Sequence, residues 1–305
     1  MQDIYIIKQK EKQLNYCYLI MTEIFIILAC VPLYAINAFC DKYASMKSGI
    51  RMNVFYNALK FFIGSFFFIP LIILDDAPKF GWGSILCGIV CGIMYAISKT
   101  LIMTGYEKTS VAFMSLCHAA GMIIPCVLGH FLWEERLSLI SIIGILLAIC
   151  SIVLLRDSKS VAKKYELLGI ILGFIIFLTS GTVMVMQKIM SLYFAEQSVS
   201  AYNYYSFVIA FLILIVVSKP RADIKSRTKL VYPFAIGSAL SLCIISIIMT
   251  LLAGVVPSIV LFPLFNGIGI ILVCFGSIFL FKEKLTLKKL IGVIIGILGL
   301  CLVNF

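Results

Sequence analysis

Phe131–Leu155 reads FLWEERLSLISIIGILLAICSIVLL, and the pattern returns near the end of the chain at Phe279–Val303 as FLFKEKLTLKKLIGVIIGILGLCLV. Each copy holds the apolar end of one segment, a charged turn and a new apolar segment. The two copies begin about half of the 305-residue chain apart. Self-similarity at that spacing predicts two fused copies of one unit rather than a solenoid of short repeats.

The repeat extends well beyond this stretch. With a single two-residue insertion, most of the first half can be laid on the second. The matching pairs are Lys42 and Lys188, Tyr56-Asn57 and Tyr202-Asn203, Phe61 and Phe207, Thr104 and Thr250, Ser110 and Ser258, Gly121 and Gly269, and Cys126 and Cys274. The sequence therefore predicts two units, residues 1–155 and residues 156–305.

Composition indicates a membrane protein. Hydrophobic residues make up 62% of the chain, charged residues 13%, and the mean hydropathy is +1.12, so polar groups are too few to cover a water-soluble globule. The net charge of +11 lies mostly in the turns, which is typical of topology signals and lipid contacts rather than of a nucleic-acid surface. The 11 cysteines lack a CxxC pair and the histidines number two, so neither a disulfide framework nor a metal site is predicted.

Ten apolar segments are long enough to cross a bilayer, which takes about 20 residues. Because lipid offers no partner to unpaired backbone groups, each is expected to be an α-helix. They are Leu19–Tyr43, Val54–Leu74, Trp82–Thr104, Val111–Trp133, Leu139–Leu155, Leu167–Lys188, Ala201–Val217, Tyr232–Ala253, Pro257–Phe281 and Leu287–Phe305. The predicted fold is an all-α polytopic membrane protein of ten transmembrane helices, without a soluble domain.

Five spans per unit place the two copies in opposite membrane orientations, which is the inverted-repeat design of secondary transporters. The basic residues give a first estimate of the orientation of the whole chain. Odd-numbered connections carry seventeen Lys and Arg, whereas the N-terminus and the even-numbered connections carry six. The positive-inside rule then places the odd connections in the cytoplasm and both termini outside.

Each half contains an apolar helix followed by Glu, a Leu-Ser/Thr-Leu turn and a helix that carries a glycine. In this order and in duplicate, the pattern resembles the drug/metabolite transporter superfamily and its EamA-like branch. The residues that carry the resemblance are Thr109-Ser110, Pro125, Glu135, Leu137 and Gly144 in the first half and Ser258, Glu283, Leu285 and Gly292 in the second. The resemblance implies a ten-helix transporter with both termini in the cytoplasm. Since the charge count implies the opposite, the orientation stays open.

The fourth and ninth spans hold the first candidate site. Each is interrupted by Gly and Pro, at Cys117–Pro125 (CHAAGMIIP) and Pro263–Gly269 (PLFNGIG), and His118 corresponds to Asn266. A proline frees the helical carbonyl four residues earlier, and freed backbone at membrane depth is tolerated where it lines a cavity. Paired interruptions therefore predict a substrate site at His118 and Asn266. The alternative is that both side chains simply bond a neighbouring helix.

Two further pairs of polar side chains are candidates for the wall of the same site. Tyr95 and Lys99 are four residues apart on the third span and share a helix face. Lys99 could instead extend along its helix to the membrane interface. Tyr34 and Asn37 lie three residues apart on the first span.

Other charged side chains have less specific expectations. Lys60 on the second span and Glu23 on the first could pair, titrate or anchor the helix ends at the interface. If protons drive transport, the candidate carriers are His118, Glu23 and Lys99.

Glu135 and Glu283 lie in the two charged turns, beside basic neighbours. They are expected to fix the turns by capping and ion pairing rather than to act as catalytic carboxylates.

The pattern as a whole predicts a secondary transporter of a small organic metabolite, such as an amino acid, an amine or a related compound. The expected location is the plasma membrane, and export is one of the two directions that stay open. Tyr-Asn at positions 56–57 and 202–203 is similar to a nucleotide-sugar transporter motif, so an exchanger of that kind is the alternative. An intramembrane enzyme is disfavoured because no HExxH motif is present, and a channel because no repeated filter motif or charged ring is present.

The predicted partners are a small-molecule substrate and the lipid bilayer, and the sequence leaves open whether a proton or another ion is coupled. No ATP-binding Walker motif, cofactor, metal or nucleic acid is predicted. GxxxG pairs at Gly88/Gly92, Gly169/Gly173 and Gly292/Gly296 favour close helix packing, and both a monomer and a homodimer are compatible with them.

Overall fold

The computed structural model describes residues 2–47, 50–77, 80–108, 111–135, 138–155, 163–218, 222–282 and 287–303. Within these ranges every regular element is an α-helix. The helices are α1 (Gln2–Lys47), α2 (Ile50–Leu74), α3 (Trp82–Lys108), α4 (Val111–Ala120), α5 (Ile123–Leu132), α6 (Leu139–Leu155), α7 (Lys163–Tyr193), α8 (Val199–Ser218), α9 (Ala222–Ala253), α10 (Ser258–Phe281) and α11 (Leu287–Val303). Five residues of the repeated motif, Thr109, Ser110, Leu137, Glu283 and Leu285, lie outside the described residues.

The helices have the length and composition of membrane spans. Within the described residues, eight spans of 20 to 27 residues combine high hydropathy with few charges, counting α4 and α5 together as one. The remaining two predicted spans, α6 and α11, have 17 residues each, at the short end of the range that crosses a bilayer. These two helices pack against each other. The predicted all-α membrane fold is confirmed.

Several helices are longer than their apolar segments. Helix α1 begins at Gln2 rather than at Leu19, and α9 begins at Ala222 rather than at Tyr232. Helical hydrogen bonds form within one segment and do not depend on hydropathy. The apolar pattern therefore marks the part of each helix that lies in lipid, whereas the helix itself continues into the polar flanks.

The fourth predicted span is broken into α4 and α5, as its Gly and Pro indicated. The N–H groups of Gly121 and Met122 donate to carbonyls three residues earlier, over 3.2 and 3.0 Å, so the chain tightens at this point. The carbonyl of Gly121, which Pro125 was expected to free, accepts instead from Ile124 N–H over 3.0 Å. The break itself is present, but that carbonyl is not free.

The ninth predicted span is not broken. Helix α10 is continuous from Ser258 to Phe281 although Pro263 lies inside it, so the predicted interruption is wrong for this half. Pro263 is buried and lies between Phe262 and Phe265, both of which are also buried. Packing of this apolar turn compensates for the single helical hydrogen bond that the proline removes.

The helix contacts have twofold character. Helices α1, α2, α3, α4–α5 and α6 of the first repeat correspond to α7, α8, α9, α10 and α11 of the second. Helix α2 packs on its counterpart α8, and α6 on its counterpart α11. Helix α3 packs on α7 and α8 just as α9 packs on α1 and α2, and α1 packs on α10 just as α7 packs on α4 and α5. Two five-span repeats of opposite orientation are thus related by a pseudo-twofold axis.

The first GxxxG pair is used for packing inside the chain. A Cβ atom placed on Gly92 would lie 2.6 Å from the carbonyl oxygen of Ser206 and 2.8 Å from Cβ of Ile209, and one on Gly88 would lie 2.7 Å from Cβ of Tyr205. These contacts bring α3 against α8 across the boundary between the repeats. Because backbone is among the contacting atoms, a side chain at Gly92 has no room.

We expect Gly92→Ala to lower stability, since the helices must separate to admit one methyl group, at a cost of about 1–3 kcal/mol. The measurement is the thermal unfolding midpoint in detergent. Gly237→Ala is the matched control, because a Cβ there meets only the side-chain sulfur of Cys40, at 3.2 Å. Equal midpoints for Gly92→Ala and the wild type would show that α3 and α8 are not in close contact.

Candidate functional site: a cavity between the repeats

A single cavity brings all six predicted site residues together. Tyr34 and Asn37 come from α1, Tyr95 and Lys99 from α3, His118 from α4 and Asn266 from α10. The space among the lining side chains is about 790 Å³, including the part that is open to solvent. The role of these residues in binding stays a prediction, whereas their common location is a feature of the structure.

Both repeats supply the walls at corresponding positions. Four pairs of repeat-related residues, one member on α1 and the other on α7, all line the cavity. The pairs are Tyr34 and Ser180, Asn37 and Val183, Ala38 and Met184, and Asp41 and Gln187. Likewise Lys99 on α3 corresponds to Ile245 on α9, and both line the cavity. The cavity therefore lies on the pseudo-twofold axis.

The residues on α1 are held by hydrogen bonds to other helices. The amide of Asn37 donates to the carbonyl oxygen and to Oγ of Ser238 on α9, over 2.9 and 3.0 Å. The hydroxyl of Tyr34 donates to the carbonyl oxygen of Ser115 on α4, over 3.4 Å. Asn37 therefore contributes mainly to the α1–α9 contact, and Tyr34 presents its ring to the cavity.

Asp41 was missed by the sequence reasoning, although it is the centre of a buried polar network. Its carboxylate lies 3.0 Å from Nζ of Lys60, and the two side chains are 2% and 0% exposed. Tyr56 and Ser238 donate to the same carboxylate over 3.0 and 2.7 Å. Lys60 thus pairs with Asp41, and the predicted partner Glu23 is wrong. The sequence repeat did indicate this position, because Asp41 and its counterpart Gln187 in the second repeat are both polar residues within apolar segments.

Lys99 does not extend to the membrane interface. The sequence placed it about one turn from a helix end at Thr104, but α3 continues to Lys108. Its side chain is 6% exposed and lines the cavity. One helical turn earlier, Tyr95 shares an hydroxyl–hydroxyl hydrogen bond of 3.3 Å with Ser246 on α9. The two residues share a face, as predicted, and that face is turned toward the cavity.

His118 and Asn266 keep polar atoms available. The amide nitrogen of Asn266 donates to the carbonyl of Phe262 in its own helix, over 2.8 Å, whereas its buried Oδ1 has no partner among the described residues. The imidazole of His118 has its ring centroid 6.1 Å from that of Tyr34. Within the described ranges, neither side chain bonds a neighbouring helix, which was the alternative explanation for them.

The two repeats give the cavity two chemically different walls. The first repeat contributes mostly polar side chains, namely Asn37, Asp41, Tyr95, Ser98, Lys99, Tyr106, Ser115 and His118. The second contributes mostly apolar ones, namely Val183, Met184, Leu242, Ile245, Met249, Phe262 and Phe265, together with Ser180, Gln187 and Asn266.

Glu135 lies outside the cavity and joins the repeats. Its carboxylate oxygen Oε1 lies 3.1 Å from Nζ of Lys188 on α7 and accepts from the N–H of Ser258, the first residue of α10, over 3.0 Å. Lys188 also donates to the carbonyl of Val256, over 3.1 Å. The expected capping and ion pairing are thus present at Glu135. They connect the turn after α5 to the second repeat rather than acting within the turn. Glu283 lies outside the described residues.

Comparison with known proteins agrees with this architecture. The sequence matches the model of the EamA-like transporter family twice, over residues 21–156 and 167–305. Among 28 matching chains of solved structures is one described as "Crystal structure of protein", with a TM-score of 0.69 and 13% identity over 92% of this chain and 96% of that chain. At that identity the likeness shows the fold alone. No curated protein matches the sequence.

The two family matches cover most of the chain, one in each half, and agree with the duplicated helices. The unit boundary between residues 155 and 156 stays a prediction. The chain is an integral multi-pass membrane protein, and it belongs to the EamA-like transporter family, within the drug/metabolite transporter superfamily.

Proposed function

We propose that the protein is a secondary transporter that moves a small organic metabolite across the plasma membrane by alternating access. The observation that carries the proposal is the cavity on the pseudo-twofold axis, which is lined by corresponding positions of both repeats. A site between inverted repeats can be exposed to either side of the membrane when one set of helices rocks against the other.

The substrate class follows from the two walls of the cavity. A molecule with a polar end and an apolar body satisfies the tyrosines, amides and charges of α1, α3 and α4 and the aliphatic and aromatic side chains of α7, α9 and α10. Amino acids, amines and related metabolites have this character and a suitable size. They are therefore the first compounds to test.

The test is flux into proteoliposomes that contain the purified protein. Uptake of labelled amino acids and amines should saturate with concentration, and unlabelled substrate on the opposite side should accelerate it. Non-saturating conductance would instead indicate a channel. Flux measured under imposed proton or sodium gradients would show whether an ion is coupled, and flux in oriented vesicles would show whether the protein exports.

His118→Ala and Asn266→Ala should each lower saturable flux about tenfold, the effect of losing one substrate hydrogen bond of roughly 1.4 kcal/mol. Both side chains line the cavity, and Oδ1 of Asn266 has no partner among the described residues. The matched control is His130→Ala, because His130 is exposed and lies in α5, outside the cavity. Normal flux in both cavity variants, with normal amounts of protein in the membrane, would move the site elsewhere.

Nucleotide-sugar exchange has less support. The motif residues Tyr56, Asn57, Tyr202 and Asn203 are fully buried, and none of them is among the residues that line the cavity. The amide of Asn57 donates to the carbonyls of Asn53 and Lys99, over 3.0 and 3.3 Å, so it holds α2 against α3. These contacts give the Tyr-Asn pairs a packing role.

A further inference from the structure

Lys99 places a charged side chain in the wall of the cavity. The ammonium group of Lys99 makes no hydrogen bond and no ion pair with any residue that the structure describes, and its side chain is 6% exposed. Removing a cation from water without a compensating group costs several kcal/mol. An anionic group bound in the cavity would compensate this charge.

The neighbouring charges do not neutralise Lys99. Asp41 and Lys60 lie within electrostatic range of it, but the carboxylate of Asp41 is already bonded to Lys60 at 3.0 Å, to Tyr56 at 3.0 Å and to Ser238 at 2.7 Å. The Asp41–Lys60 pair has no net charge. Among the described residues that line the cavity, Asp41 and Lys99 carry charges, and because Asp41 is paired with Lys60, the positive charge of Lys99 is left uncompensated.

The hydrogen-bonding atoms that line the cavity further restrict the chemistry of the ligand. Ser98, the residue before Lys99, lines the cavity with a hydroxyl that has no partner in the described parts of the chain. On the opposite wall, Oδ1 of Asn266 is a buried acceptor to which no described residue donates. A matching ligand has one negative group for Lys99 and a hydrogen-bond donor for Asn266, and an apolar body fits the side chains of α9 and α10.

We infer that Lys99 binds the carboxylate of the transported molecule, an inference that rests on the transporter function proposed above. Within the substrate classes considered there, amino acids supply both the carboxylate and the donor. An amine without a carboxylate would place a second positive charge beside Lys99. A requirement for a carboxylate therefore favours amino-acid-like substrates over simple amines.

The experiment measures thermal stabilisation of the purified full-length protein by matched compounds. The compounds are the common amino acids that have no side-chain carboxylate, each with its carboxamide and its decarboxylated amine, so that the carboxylate is removed within each set. Compounds with the carboxylate should raise the unfolding midpoint of the wild type, whereas their amides and amines should not. Lys99→Gln should weaken binding at least about tenfold, the effect of losing a charge-assisted hydrogen bond. Lys229→Gln is the matched control, because Lys229 is exposed.

Three results would overturn the inference. The amides or amines could stabilise the wild type as well as the acids do, or Lys99→Gln could bind the acids with unchanged affinity. The third such result is a wild type that binds none of the acids. Counterflow in proteoliposomes separates this inference from the transporter proposal. Binding that depends on Lys99 without saturable flux would contradict transport and leave the carboxylate site standing. Saturable flux of amines through the wild type, unchanged in Lys99→Gln, would support transport and refute the carboxylate site.

Discussion

Asp41→Asn is expected to destabilise the protein by about 3–5 kcal/mol, the usual cost of removing one partner of a buried ion pair. Lys60 would remain fully buried without its counter-charge, and the hydroxyls of Tyr56 and Ser238 would lose a charged acceptor. The measurement is the free energy of unfolding in mixed detergent micelles.

Asp41→Asn/Lys60→Met is the informative companion, because it removes both charges and leaves an apolar side chain of similar length. We expect the double variant to recover most of the lost stability. Tyr56→Phe, which removes one hydroxyl donor to the same carboxylate, should cost only about 1 kcal/mol. If Asp41→Asn unfolds like the wild type, the Asp41–Lys60 pair is not formed in the folded protein.

Glu135→Gln should have the second largest effect on stability, about 3 kcal/mol. The substitution leaves Lys188 buried without an anion, and it replaces the charged acceptor at the N-terminus of α10 by a neutral one. Because Lys188 lies on α7 and Ser258 on α10, the lost contacts are those between the first repeat and the second. Thermal unfolding in detergent should show a lower midpoint.

The neighbouring residue offers a matched control. Glu134 precedes Glu135 in the same turn, is exposed, and has a positive φ of 55°. Glu134→Gln removes the same charge without touching a buried partner, so the midpoint should stay within about 1 °C of wild type, the result expected of a surface change. Similar losses in the two variants would mean that Glu135 acts only through the net charge of the turn.

Local chemistry made the break in the fourth span predictable. Gly121, a poor helix former, is also the residue whose helical hydrogen bond Pro125 eliminates, so two weaknesses coincide in one turn. In the ninth span the carbonyl affected by Pro263 belongs to Ile259, and Gly269 lies more than a turn further on. In α10 the proline and the glycine therefore weaken different turns, and buried aromatic neighbours keep the helix continuous. A single sequence does not show those neighbours.

The cavity was predicted in part. The six site residues were found because polar side chains stand out in apolar spans, and all six line one space. Asp41 was missed because the first span was ended at Tyr43, which placed the carboxylate at the membrane surface, whereas α1 continues to Lys47. Its partner Lys60 lies on another helix, and a pairing between helices depends on how α1 packs against α2. That packing is not encoded in the spacing of residues along either helix.

The break between α4 and α5, which α10 lacks, bears on how the cavity would open to each side of the membrane in turn. In the first repeat, the helical segment α4–α5 that lines the cavity is broken at Gly121 and Met122. The corresponding helix of the second repeat, α10, is continuous. A broken helix and a continuous helix cannot adopt each other's conformation by symmetry alone. In the alternating-access transport proposed above, the conformation open to one compartment would therefore not be the mirror image of the conformation open to the other.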